Sequence, residues 1–334
     1  MEDPTKIQKS VHGGKGADGV DDTAALAIDL GGTRIKAGIV VEHEVAAQRI
    51  VPTEDERGFE HVLDQIIMVA EQLLHERSAV GIGLSLPAVV DVERGTVLDV
   101  RKNLSGLIGF PLVDVLQRRF NLPVAVENDA RLYGLGEMTA GAARGVKNLV
   151  CLTLGTGVGC CVVQDGAILR GSHGTGGILG GHMTIETYGP VCTCGNIGCV
   201  EAFCGAPALV AAMAARLAAQ PGRPWNSGEP VTPESIIAAA ARGEDPARAV
   251  MADYVRRLSA AVVSYIHVYD PDLVVLGGGI MHAAEQILPS VRQFVQEHAW
   301  TSPPRPIPVR AAVLGDGAAL VGAAALVRGQ AQFR

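Results

Sequence analysis

The sequence has no basic block. Its 28 Lys and Arg are outnumbered by 35 Asp and Glu, giving a net charge of −7. Binding along a phosphate backbone needs a basic face, so nucleic acid is not expected as a partner. A nucleotide remains possible, because its phosphates can be held by backbone N–H groups and a metal. Nor is there a run approaching the ~18 consecutive apolar residues of a membrane helix, so no membrane role is expected. The opening stretch MEDPTKIQKSVHGGKGADGVDD has no apolar segment of the secretory type. Charged residues are only 19% against 48% hydrophobic ones, which excludes a chain disordered throughout. Seven cysteines are an odd number in a long chain without a signal. A disulfide scaffold is therefore not expected, and a reducing cytoplasm is the default location.

What is present is 334 residues, enough for two domains or one large one. Residues 1–22 are polar and Gly-rich and read as a disordered tail. From Ala24 the pattern changes. AALAID, the turn LGGT and IKAGIVV read as a β-hairpin. Residues 59–77 carry apolar side chains at helical spacing, and AVGIGLSL reads as a buried strand. LVDVLQRRF (helix), PVAVEN (strand) and a helix from Asp129 follow. NLVCLTLGTGVGCCVVQDGAIL is a second strand, Gly turn and strand. Helices are expected over 207–219, 233–268 and 283–298, and DLVVLGGGIM enters a third Gly turn. Strands alternating with helices imply an α/β architecture.

The two hairpins match. Ile28-Asp29-Leu30-Gly31-Gly32-Thr33 and Leu152-Thr153-Leu154-Gly155-Thr156-Gly157 each set a Gly/Thr turn between apolar strands. Glycines there permit positive φ and let backbone N–H groups approach an anion. Neither turn is a P-loop, since GxxxxGK[ST] is missing, and neither is followed by the helix of a Rossmann fingerprint. Alone, each reads as an ordinary tight hairpin. Together with Gly277-Gly278-Gly279, they suggest two domains that each present a phosphate-facing hairpin, as in an actin-like nucleotide clamp. Glu127-Asn128-Asp129 stands where a strand meets a helix, at the carboxyl edge where α/β ligand sites form. Asp129 is either a helix cap or a base for proton transfer.

The segments AIDLGGTRIKAGIV, NLSGLIGFPL, VENDARLYGLGE, LTLGTGVGCCVV, GGH, CTCGNIGCVEAF and LGDGAALVGAA together resemble the ROK family of sugar kinases and repressors. The resemblance runs from about Ala24 to Val327. It implies an actin/hexokinase-like ATPase fold of two ribonuclease-H-like domains with the active site in the cleft between them. The expected division is a small domain over 23–128, completed by a C-terminal helix at about 316–330, and a larger one over 129–315. It implies transfer of the γ-phosphate of MgATP to a hydroxyl of a hexose or N-acetylhexosamine, at O6, with Asp129 as general base. Asn103, Asn128, His182 and Glu201 are then the sugar contacts. Asp29 faces magnesium, Gly31, Gly32, Thr33, Gly155, Thr156 and Gly157 hold phosphates, and Gly277, Gly278 and Gly279 pack the adenosine. Relatives are often homodimers, and the same is expected here. Lys36 reads as a surface charge and Asp91 as a turn former.

Cys192, Cys194 and Cys199 pack three thiols into eight residues, with Gly195 and Gly198 allowing a sharp turn. Reduced thiols or a disulfide are the metal-free alternatives. His182 lies at the spacing of the family's zinc histidine, which completes a structural Cys₃His site. Cys151, Cys160 and Cys161 fall in apolar strands and read as core, and Cys204 as no ligand.

The pattern also has gaps. The family's Gly-Glu-x-Gly-His stretch, whose Glu contacts the sugar, is Gly176-Gly177-Ile178-Leu179-Gly180-Gly181-His182 here, with one extra residue and no carboxylate in any register. Leu107 stands where the family has Trp, and Pro87-Ala88 where it has Pro-Gly. Ordinary glucose preference is thereby placed in doubt, and a kinase of a cyclic polyol such as inositol is an alternative. So are a sugar-sensing regulator and a catalytically impaired sugar-binding protein. The 28 residues before Asp29 show no helical pattern and no basic cluster, which disfavours a DNA-binding segment.

Overall fold

The computed structural model describes residues 24–100, 102–219, 225 and 230–333. The tail expected over 1–22 lies outside the described residues. Two five-stranded sheets organise the chain. The first holds β1 (Ala25–Leu30), β2 (Arg34–Val41), β3 (Glu44–Pro52), β4 (Ile82–Leu86) and β7 (Val124–Asn128), in the order β3-β2-β1-β4-β7. β1, β2 and β3 form an antiparallel meander, and β4 and β7 run parallel to β1. Between β4 and β7, β5 (Ala88–Asp91) and β6 (Thr96–Val100) form a separate hairpin. Asp91 orders its turn by accepting from Arg94 N at 3.1 Å.

The second sheet repeats the plan. β8 (Leu149–Leu154), β9 (Val158–Gln164), β10 (Ala167–Ile168), β11 (Leu273–Gly277) and β12 (Val309–Ala311) take the order β10-β9-β8-β11-β12. Again three strands are antiparallel and two are parallel to the first.

Apolar runs, rather than alternation, mark strands buried on both faces, and the side chains of β1 and β8 divide accordingly. Leu26, Ile28 and Leu30 pack with α1 (Phe59–Glu76), through Val62, Ile66 and Val69. Ala25 and Ala27 face the other way. In β8, Val150, Leu152 and Leu154 pack outward with α7 (Asp245–Tyr269), while Leu149 and Cys151 face inward. The inward cluster is filled by two helices, α3 (Asp129–Thr139) and α9 (Ala318–Val327). α9 rests on the first sheet, and α3 rests on β8 and β9 of the second.

That middle layer depends on small residues. A Cβ on Gly136 would lie 2.0 Å from Ala318 O, and one on Gly322 would lie 1.9 Å from Leu132 O. The backbones of α3 and α9 touch there, and a methyl would cost about 1–3 kcal/mol in overpacking. Among the described residues the remaining α-helices are α2 (Leu112–Phe120), α4 (Val200–Cys204), α5 (Ala206–Ala218), α6 (Pro233–Ala241) and α8 (Ala284–His298). Among the described residues, no helix is long and apolar enough to cross a membrane. Two equivalent sheets with a helix pair between them make the duplicated ribonuclease-H-like plan of the actin/hexokinase-like fold.

Candidate active site

The parallel strands of the first sheet bring their carboxyl ends level. Asp29 pairs in register with Ser85, and Ser85 with Glu127. The Ser85 hydroxyl donates to Asp29 Oδ1 at 2.6 Å. Burial raises the Asp29 carboxyl above its ordinary value of 3.8, while the Ser85 hydrogen bond and Lys36 pull it back down. Lys36 stands directly across the hairpin from Asp29, and its ammonium meets Asp316 Oδ2 at 3.2 Å. By residue type alone Lys36 is expected on the surface. The register of a three-residue turn is the signal that places it opposite Asp29. The turn itself, Gly31–Thr33, is closed by Gly31 N donating to Arg34 O at 2.9 Å. It is tied to β3 by Thr53 Oγ1, which donates to Gly31 O at 2.8 Å.

Two strand spacings, about 10 Å, separate Asp29 from the end of β7. There Asn128, not Asp129, caps α3. Its Oδ1 accepts from Ala130 N at 3.0 Å and Arg131 N at 3.3 Å. Its Nδ2 donates to Ala88 O at 3.2 Å and to Asp129 Oδ1 at 3.0 Å. The cap therefore occupies the Asn128 amide and orients Asp129, which is half-buried at the first helical position. A carboxylate at a helix N-terminus is favoured by the helix dipole.

Behind this pair, Glu127 is fully buried. Its Oε1 accepts from Arg131 at 3.1 Å, and its Oε2 from Arg170 at 2.6 Å. Removing one partner from such a buried pair costs roughly 3–5 kcal/mol, because the other charge is left uncompensated.

The second hairpin is held differently. Gly155 N donates to Gly157 O at 3.0 Å, and Ala206 N at the start of α5 donates to Gly155 O at 2.7 Å. Glu201 Oε2 accepts from Val158 N at 3.0 Å, directly after the turn, and Glu201 Oε1 accepts from Thr193 Oγ1 at 2.7 Å. The third turn lies alongside, since Gly277 pairs with Thr153. Gly278 has φ 85°, and a Cβ there would lie 2.5 Å from Leu154 O. Its N–H donates to the Tyr133 hydroxyl at 3.3 Å, so α3 reaches this turn as well. Asn103 falls on the 3-10 turn Lys102–Leu107, and its side chain is outside the described set.

His182, Cys192, Cys194 and Cys199 bring their ligand atoms within 4.8 Å of one another. Zinc bonds of about 2.3 Å to sulfur and about 2.0–2.1 Å to nitrogen, set tetrahedrally, require S···S edges of about 3.8 Å and S···N edges of about 3.6 Å. Cys194 and Cys199 sulfurs are 3.8 Å apart, and Cys192 Sγ lies 3.6 Å from His182 Nδ1. The Asn196 N–H lowers the Cys194 thiol, toward the thiolate that a metal takes. Cys204 is buried outside the cluster, and burial pushes its thiol up to about 12, as it does for Cys161. Cys151, Cys160 and Cys161 are core residues, as expected. Gly177 leads into a 3-10 turn, Ile178–His182, that carries Leu179 at 48% exposure and no carboxylate.

A sequence model of the ROK family matches residues 25–330. The chain is 32% identical over 315 residues to a glucokinase of Thermotoga maritima, covering 91% of this chain and 96% of that protein. It is 30% identical over 306 residues to an N-acetylmannosamine kinase of Salmonella typhi, covering 91% and 98%. Among solved structures, a ROK family glucokinase from Streptomyces griseus in complex with glucose and AMPPNP superposes with a TM-score of 0.79 at 30% identity, covering 92% and 99%.

Proposed function

The chain belongs to the ROK family, and from that premise we propose that it is an ATP-dependent sugar kinase. It transfers the terminal phosphoryl group of MgATP to a hydroxyl, O6, of a hexose or N-acetylhexosamine. One observation carries this reading. Asp129 sits half-buried on the first turn of α3, oriented by Asn128, on the helix that also touches the Gly278 turn.

Phosphoryl transfer needs in-line positioning, charge neutralisation and a base for the hydroxyl proton. Asp129 accepts that proton as the hydroxyl oxygen attacks the γ-phosphorus. The bond from that phosphorus to the β–γ bridging oxygen breaks, and ADP leaves. Gly32, Thr33, Thr156 and Gly157 offer the phosphates backbone N–H groups and the Thr33 and Thr156 hydroxyls, Gly31 and Gly155 close the two phosphate-holding turns with their own N–H groups, and Gly277–Gly279 pack the adenosine. Asp29 would face the magnesium of MgATP. When bound, that ion supplies charge neutralisation on the phosphate oxygens.

Asn103, His182 and Glu201 line the acceptor side. The Cys₃His set has no open ligand position, so a zinc there is structural. It would pin His182 and the Thr193–Glu201 contact to one another, and through Glu201 it would steady the second phosphate turn. The acceptor itself is left open by the missing carboxylate over 176–182. A panel of hexoses, N-acetylhexosamines and inositols with MgATP, scored by ADP release, tests the proposal. The expected result is stoichiometric ADP and a 6-phosphate of at least one hexose or N-acetylhexosamine. No turnover of any sugar would overturn it.

A further inference from the structure

The segment after α9 crosses from one sheet to the other. Arg328 donates to Val40 O at 2.6 Å, on β2 of the first sheet. Five residues later, Phe333 bridges to Ile168 on β10 of the second sheet, and Gln332 O accepts from Ile168 N at 2.7 Å. Phe333, itself half-buried, has the Arg170 guanidinium over its ring, with the central carbon 3.3 Å from the ring centroid.

Arg170 donates twice to Glu127 Oε2, from Nε at 2.8 Å and from Nη2 at 2.6 Å. Glu127 Oε1 in turn holds Arg131 and accepts from Asn128 N at 2.8 Å. Arg131 is sealed from solvent, and its Nη2 donates to Gly174 O at 2.8 Å and Gly176 O at 2.7 Å. Gly176 N donates to Arg170 O at 2.7 Å, closing the loop at its neck. That loop contains Gly171, Gly174, Gly176 and Gly177, and it leads directly into the turn that carries His182. A loop so rich in glycine has few side chains of its own to fix it, and glycine gives up the most conformational freedom on ordering.

We infer that Phe333 is a positioning residue. Through Arg170, Glu127 and Arg131 it fixes the 170–177 loop and sets the acceptor side of the cleft. The effect on catalysis rests on the kinase reading, whereas the effect on the loop does not. An aromatic face holds a guanidinium by cation–π attraction and keeps it from swinging into water. Without it Arg170 gains rotamers, and its paired hydrogen bonds to Glu127 at the base of the loop are lost part of the time.

The test uses the full chain with Phe333→Ala and Phe333→Tyr. In the ligand-free protein, hydrogen exchange of the amides in 171–177 is expected to be about fivefold faster in Phe333→Ala. Exchange at 155–157 should be unchanged, and Phe333→Tyr should restore the wild-type rate. With sugar and MgATP, Phe333→Ala should raise KM for the sugar about fivefold while KM for ATP stays within twofold. Unchanged exchange in 171–177, or an equal rise in both KM values, overturns the assignment. If the wild-type protein phosphorylates no sugar, the kinase reading falls, and the exchange result alone decides the role of Phe333.

Discussion

The two sheets share a strand order but equip their hairpins differently. In the first, the strands themselves carry the charges, with Asp29 facing Lys36 across the ladder and Asp316 closing the pair. In the second, the equivalent cross-strand pair is Thr153 and Gly159, which is uncharged. Its carboxylate comes from outside the sheet, as Glu201 on the Val158 N–H, held by the insertion that contains the Cys₃His cluster. One half has its electrostatics built into a local hairpin, and the other borrows them from a stapled segment. The first should therefore tolerate damage elsewhere, while the second should depend on its staple.

The largest expected effect breaks the first half. Asp129→Asn should lower kcat by about 10³-fold while sugar affinity is kept, since a positioned base contributes roughly 10²–10⁴-fold. Steady-state rates beside direct sugar binding check this, and near-normal turnover removes Asp129 as the base.

The next prediction breaks the second half. Cys194→Ser changes the exposed thiol of the cluster and should lower bound zinc from one per chain. Sugar KM should rise about tenfold, because the contacts that orient a site are typically worth 10–100-fold. Metal analysis alongside kinetics decides it. Full zinc content with unchanged KM would break the contrast between the halves.

The smallest effect has opposite signs on activity and stability. The folded protein holds the Asp29 proton more tightly than the unfolded chain does, because burial raises its carboxyl. Stability from this group is complete below the ordinary value of 3.8 and is lost as pH rises through the raised value. Asp29→Asn cannot ionise. Without nucleotide, it should melt at a higher temperature than the wild type at pH 7, with the gain vanishing below the ordinary carboxylate value of 3.8. Turnover should fall at the same time. A lower melting temperature at pH 7 would contradict the burial argument.

Much of this organisation is legible in the sequence because it is local. Apolar runs around LGGT and LGTG predict both hairpins, and three thiols among glycines predict the cluster. The hairpin over Ala88–Val100 is missed, since its strands are short and half exposed. The Lys36–Asp316 and Arg170–Glu127 pairs join residues far apart in the chain, and no periodicity reports them. Asn128 is read as a sugar contact, but the helix leaving β7 also requires a cap, and Asn128 supplies it. The surface reading of Lys36 fails for a related reason, because hairpin register rather than residue type decides its neighbour.

The central claim is that the two sheets hold a nucleotide between their matched turns and an acceptor beside Asp129. Titration calorimetry with magnesium and a non-hydrolysable ATP analogue, with and without the sugar found in the panel, tests it most directly. Binding at one site per chain, tightened by the sugar, is the predicted result. Absence of any nucleotide binding under either condition would contradict the account.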